Sequence, residues 1–229
     1  MLFCFLLSLG MDNLMTTLRQ SPRLCLYYQK IKAILKDEKM KRVEFYSSIN
    51  EDQKAEFING EIIIHSPIIL RHDKTRDLLS NLLNNYVRIN NLGYVGGEKM
   101  MINLTRNDYE PDICFWKKEK SSKFKPDQLL FPIPDLIVEV LSDSTKDYDR
   151  GIKFDDYAAH LVAEYWIIDP DLQTIEQYVL YEDTYKLLKK AKGKEILTSD
   201  AVNGFTIPGI AIFDEKENIK ALKKILSYE

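Results

Sequence analysis

The chain has 229 residues, enough for one large domain or one domain with an extension. Hydrophobic residues make up 45% and charged residues 29%, a globular balance that excludes a disordered chain. The net charge of -3 argues against a protein that coats nucleic acid through a global basic field, but it leaves room for a local basic patch.

The start, MLFCFLLSLG, is apolar. It lacks the basic flank and cleavage site of a signal peptide and is too short to span a bilayer. The expectation is a locally packed or poorly ordered segment, with Met11 or Met15 as an alternative start. No longer apolar run occurs, so a soluble protein without a membrane partner is expected. Cys4, Cys25 and Cys114 are few, odd in number and widely spaced. They fit free thiols in a reducing cytoplasm better than a disulfide or zinc framework.

Residues 24–48 read as a helix. Leu24, Tyr27, Tyr28, Ile31, Ile34 and Leu35 recur at spacings of three and four. KAEFINGEIIIHSP reads as a hairpin, 55–58 and 61–65, turning at Asn59-Gly60. A second helix covers 70–90, with Leu70, Leu78, Leu79, Leu82, Leu83, Tyr86 and Val87 as its buried face. NLGYVGGE holds a short strand, and KMMINL and YEPDICFW read as strands either side of the turn TRND. Residues 117–134 form a long connection with five lysines against two acids, either a solubilising stretch or a phosphate-binding one. PDLIVEVL is a strand, followed by a helix over about 147–160. EYWIIDP is another strand, and 174–197 holds a strand pair that turns near Glu182. NGFTIPGIAIF contains a terminal strand or edge segment, and 215–227 a closing helix. The pattern is that of an α/β chain: residues 1–50 as a helical extension and 51–229 as the main domain.

Two acids lie inside apolar strands. Asp112 shares a strand face with Cys114 and Trp116, while Ile113 and Phe115 point the other way. Glu139 is embedded in LIVEVL. A buried unpaired charge costs several kcal/mol in practice, so each acid needs a partner. Two bare carboxylates would repel, and a divalent cation removes the conflict. The competing reading pairs each acid with a structural Arg or Lys. Downstream, Asp149, Lys153 and Tyr157 step along one helix face, and Lys153 can point back at the acids or simply pair with Asp149. Asp, Glu and Lys together suit phosphodiester hydrolysis: the cation acidifies a water and the lysine steadies developing charge. Loss of any of the three is expected to cost more in rate than in folding. A sugar-cleaving pair of carboxylates is a weaker reading, because Trp116 and Trp166 fit strand packing.

At these residues the chain resembles the Uma-type family of restriction endonucleases, within the PD-(D/E)xK nuclease superfamily. The matching stretches are AEFINGEIIIHSP, His72, YEPDICFW, PDLIVEVLSDST, DRGIKFDDYAA and EYWIIDP, in the family's order over about residues 55–213. The resemblance implies a restriction-endonuclease-like core, a mixed sheet flanked by helices. It implies a divalent metal, usually magnesium with manganese as a substitute, and DNA as substrate. Asp112 would be the motif aspartate and Glu139 the motif (D/E), both as metal ligands. Leu141 stands where the superfamily has its lysine, and the resemblance moves that role to Lys153. Glu61, His72 and Tyr157 are auxiliary candidates. Lys117, Lys118, Lys120 and Lys123, with the basic run at 186–194, are candidate DNA-backbone contacts. A homodimer would let two sites address two strands. The alternative function is a nuclease-fold protein that binds DNA or a protein partner without cutting it.

Overall fold

The computed structural model describes residues 13–50 and 53–227. The apolar run at 1–10, Cys4 and the alternative start at Met11 lie outside the described residues.

Residues 13–20 form helix α1, and Leu24–Ser48 form helix α2. The hairpin follows as β1 (Ala55–Ile58) and β2 (Glu61–Ile64). Its turn uses Asn59 at φ 51° and Gly60 at φ 85°, the two left-handed residues that a tight antiparallel hairpin needs. Helix α3 (Leu70–Ile89) leads into β3 (Gly93–Gly97), β4 (Met101–Asn103), β5 (Asp108–Tyr109) and β6 (Ile113–Lys117). A short helix α4 (Lys118–Ser121) and strand β7 (Leu130–Phe131) precede β8 (Leu136–Val140). Helices α5 (Lys146–Arg150) and α6 (Ile152–Ala159) connect β8 to β9 (Glu164–Asp169). Then come β10 (Thr174–Tyr181), β11 (Thr184–Lys192), β12 (Ile196–Thr198) and β13 (Thr206–Pro208). A 3-10 turn at Gly209–Ile212 and helix α7 (Glu215–Leu226) close the chain.

The main sheet has six strands in the order β11-β10-β9-β8-β6-β3. Only β8 and β9 run parallel, and the α5–α6 crossover is what allows it. Both faces are covered, which is why β8 reads as an almost unbroken apolar run. One face packs Leu136, Val138 and Val140 of β8 with Ile113 and Phe115 of β6 against Leu79, Leu82 and Leu83 of α3. The other packs Ile137, Cys114 and Trp116 against Tyr157 of α6 and Tyr109 of β5. The alternation expected around Asp112 is therefore present, although Asp112 stands just before β6 rather than inside it. A second sheet, β2-β1-β5-β4-β7, carries the hairpin and packs Phe57, Ala55 and Met101 against Phe45 of α2.

Two details depart from the sequence reading, and the α2 stripe, whose covering it left open, is resolved. The stripe on α2 is not core: Leu24, Tyr28, Ile31, Ile34 and Leu35 are all exposed, and among its described side chains only Glu38 and Phe45 are buried. Periodicity identified the helix but not what would cover it. Leu70, the first residue of α3, is exposed, and His72 and Thr75 occupy the buried face in that turn. The helix expected at 147–160 is broken at Gly151, where α5 ends and α6 begins. A Cβ at that position would lie 2.7 Å from the carbonyl oxygen of Asp147, so the elbow needs glycine.

Candidate active site

The register between β6 and β8 pairs Ile113 with Val138 and Cys114 with Ile137. One step further along the same antiparallel ladder, Asp112 comes opposite Glu139. Both side chains fall on the face shared with α6, because alternate residues of a strand share a face. The backbone binds the pair together. The amide of Val140 donates to Asp112 Oδ2 at 2.8 Å, and the amide of Asp112 approaches Glu139 Oε2 at 3.4 Å.

Each acid also holds a lysine. Lys54, in the residue before β1, places Nζ 2.9 Å from Asp112 Oδ1. Lys153 of α6 places Nζ 3.1 Å from Glu139 Oε1, and the Tyr157 hydroxyl donates to the same oxygen at 3.0 Å. His72, in the first turn of α3, brings Nε2 to 3.3 Å from Asp112 Oδ2, and its Nδ1 is buried without a hydrogen-bond partner. Lys153 is 1% exposed, yet it lies among three carboxylates. Besides Glu139 these are Glu56 at 3.0 Å and Asp149 at 3.1 Å, the latter without hydrogen-bond alignment. Glu56 in turn accepts from the Glu110 amide at 2.9 Å and lies 3.0 Å from His65 Nε2. Across the break at Gly151, Lys153 and Tyr157 still reach Glu139, and Asp149 lies against Lys153.

Charge balance sets the electrostatics. Glu56, Asp112, Glu139 and Asp149 are four acids, and Lys54 and Lys153 are two cations beside them. With neutral imidazoles the fully ionised cluster carries two uncompensated negative charges. Burial and the neighbouring charges shift these carboxyls in different directions. Burial pushes the Glu139 carboxyl up to about 8 against the pull of Lys153, and Asp149 and Asp112 add to the push. Burial likewise raises Asp149, with Lys153 opposing. Burial works against ionised Asp112 too, but Lys54, His72 and the Val140 amide outweigh it and hold its carboxyl well below the ordinary range. Glu56 is lowered to about 2, because Lys153 and His65 overcome its burial. Burial works against the Lys153 ammonium, yet Glu139, Glu56 and Asp149 raise it well above a normal lysine.

Among the described residues no three His, Cys, Asp or Glu side chains form a ready metal cage. Two carboxylate oxygens are the natural positions for a cation: Asp112 Oδ1, shared with Lys54, and Glu139 Oε2, which has only the long contact from the Asp112 amide. Two hard oxygen donors suit magnesium, which binds through one or two carboxylates and keeps waters for the remainder. A cleft of about 210 Å³ opens over the cluster, lined by Lys54, His72, Asp112 and Lys153, by 65–69 and by the Ser142–Thr145 loop.

Several expected residues lie elsewhere. Glu61 is exposed at the turn end of the hairpin, while Lys54 stands at the other end of β1. The hairpin acid in the cluster is Glu56. Sequence reasoning missed it, although its signal is the same one that marked Glu139: a lone charge within an apolar run, here AEFI. Lys117 closes the far end of β6 from Asp112, five residues and therefore about 17 Å along the strand. The segment after it is anchored rather than open. Phe124 and Phe131 pack on Trp116, and Lys120 pairs with Asp135 at 3.0 Å. Leu141 packs its side chain into the core beneath the sheet.

Three comparisons bear on this arrangement. The sequence model of the Uma2 family, described as "Putative restriction endonuclease", matches residues 38–211. The uncharacterized protein sll1609 of Synechocystis sp. (strain ATCC 27184 / PCC 6803 / Kazusa) is 31% identical over 147 residues, 62% of this chain and 81% of its own length. Among solved structures, a putative nuclease belonging to DUF820 from Anabaena variabilis ATCC 29413 superposes with a TM-score of 0.64 at 17% identity. That match covers 74% of this chain and 95% of the other, and it shows a shared fold.

Proposed function

The chain belongs to the Uma2 family, and from that premise we propose that it is a divalent-metal-dependent endonuclease that hydrolyses phosphodiester bonds in DNA. The observation that carries the reading is Asp112 set opposite Glu139 under an open cleft, with Lys153 held against Glu139. Asp112 and Glu139 would hold the cation, with magnesium the first candidate and manganese its substitute. Once bound, it supplies an acidified water and neutralises charge on the phosphate. The protein's own groups do the rest. His72 and the Val140 amide fix Asp112 Oδ2, which turns Oδ1 to the shared position. Tyr157 and Lys153 fix Glu139 Oε1 and favour its ionised form. The Lys153 ammonium also supplies the positive charge that the developing phosphate charge requires. In this reading Lys117, Lys118, Lys120 and Lys123 are flanking phosphate contacts. The distance of Lys117 from Asp112 along β6 corresponds to about five base-pair steps. A homodimer in solution belongs to the same reading.

One observation favours the alternative, a nuclease-fold protein that binds DNA or a protein partner without cutting. Asp112 Oδ1 and Glu139 Oε1 each already hold a lysine. Incubation of supercoiled plasmid with magnesium, manganese or chelator separates the two. The endonuclease reading expects metal-dependent nicking that Asp112→Asn abolishes. Plasmid left intact under every metal condition, with a gel shift retained, would sink it in favour of the binding protein.

A further inference from the structure

Two lysines reach the carboxylates, and they are held very differently. Lys153 is enclosed by Glu56, Glu139 and Asp149, and its side chain is 2% exposed. Lys54 has one close carboxylate partner, Asp112; its side chain is 12% exposed, and it lines the cleft. Its backbone is pinned, since its carbonyl accepts from the His65 amide at 3.0 Å, so motion is left to its four-carbon stem.

The oxygens of Asp112 are equally unequal. Oδ2 is occupied by the Val140 amide and faces His72. Oδ1 is where Lys54 sits, at 2.9 Å. A divalent ion takes oxygen ligands at about 2.1 Å. An ion on Oδ1 would therefore crowd the Lys54 ammonium, and two like charges at such short range repel strongly. Both lysines border the cleft, but Lys153 has three acids to hold it in place and Lys54 has one.

We propose that Lys54 and the divalent cation exchange on Asp112 Oδ1, and that the displaced Lys54 ammonium becomes the cleft's contact for the substrate phosphate. The inference rests on the metal-dependent reading of this site. In it Lys54 has two positions: one balances Asp112 and the other faces the DNA backbone. A compact ammonium on a flexible stem suits both, because it binds as a point charge without the fixed fork of an arginine.

The test is calorimetric titration of the full-length protein with magnesium and with manganese, unmutated and as Lys54→Met. Loss of the competing ammonium should tighten cation binding by about tenfold, while plasmid cleavage falls. Lys54→Arg keeps the charge and should bind cation like the unmutated protein. If Lys54→Met fails to give the native circular-dichroism spectrum, Lys54→Gln takes its place. A purely structural Lys54 predicts weaker or unchanged binding on its removal. Either result, measured against an unmutated protein that binds magnesium, would overturn the exchange and leave the endonuclease reading standing. Undiminished cleavage by Lys54→Met would overturn the phosphate contact. No cation binding by any of the proteins, with or without DNA, would overturn the metal reading and the exchange together.

Discussion

Asp112 and Glu139 face each other one step beyond the last backbone pair between β6 and β8, so the sheet's own register brings the two carboxylates together. Neither acid depends on a mobile loop for its position. Asp112→Asn and Glu139→Gln preserve size and hydrogen-bonding shape, and both variants should remain folded. Each should lower the rate of DNA cleavage by at least about a hundredfold. Plasmid nicking alongside thermal unfolding reads both effects, and a fully active variant would remove that acid from the machinery.

Lys153 answers to a different expectation. The sequence predicts a far larger cost in rate than in folding, but the fold makes it the counter-ion of three buried acids. Removing one partner of a buried ion pair costs about 3–5 kcal/mol. Lys153→Ala should therefore lose stability on that scale as well as activity, as urea unfolding would measure. A variant as stable as the parent would mean that the acids have another source of compensation.

Gly151 should resist substitution. The added Cβ of Gly151→Ala meets a backbone oxygen, which cannot swing aside as a side chain can. The elbow must open, at a cost of about 1–3 kcal/mol. The same shift moves Lys153 relative to Glu139. The expected result is a lower urea midpoint with a reduced cleavage rate, and unchanged values for both would show that the elbow is plastic.

Glu176 contributes to the acid limb of stability alongside Glu56 and Asp112. Burial works against its charge, but Arg150 at 2.7 Å, Lys190 at 2.8 Å and the Tyr178 hydroxyl at 2.8 Å lower it to about 2. A carboxyl lowered by folding stabilises the native state fully above its ordinary titration range. That contribution fades as pH falls towards 2. Glu176→Gln should thus lower the melting temperature at pH 7 and shrink the gap from the parent as pH drops from about 4 to 2. A gap of constant size would show that the charge is not responsible.

Much of the fold was legible because local chemistry decided it. Asn59-Gly60 fixed the hairpin, and alternation in DICFW and LIVEV assigned their faces. Lys153 and Tyr157 meet Glu139 from one face of α6, and Asp149 of α5 pairs with Lys153. What stayed hidden depends on distant chain. Lys54 and Glu56 join the cluster only because the hairpin's sheet lies against α6, and no local pattern encodes that docking. Exposure of the α2 stripe is the same lesson in reverse, since its period marks a face without naming a neighbour.

The cluster around Lys153 also has a temporal meaning. Glu56 in β1 and Lys153 in α6 are far apart in the sequence and 3.0 Å apart in the fold. Contacts so distant in sequence form late, because closing long loops carries an entropic penalty before any contact rewards it. A chain still emerging from the ribosome or caught part-folded holds Glu56 and Asp112 without Lys153. If the endonuclease reading holds, activity should therefore be among the last properties recovered on refolding.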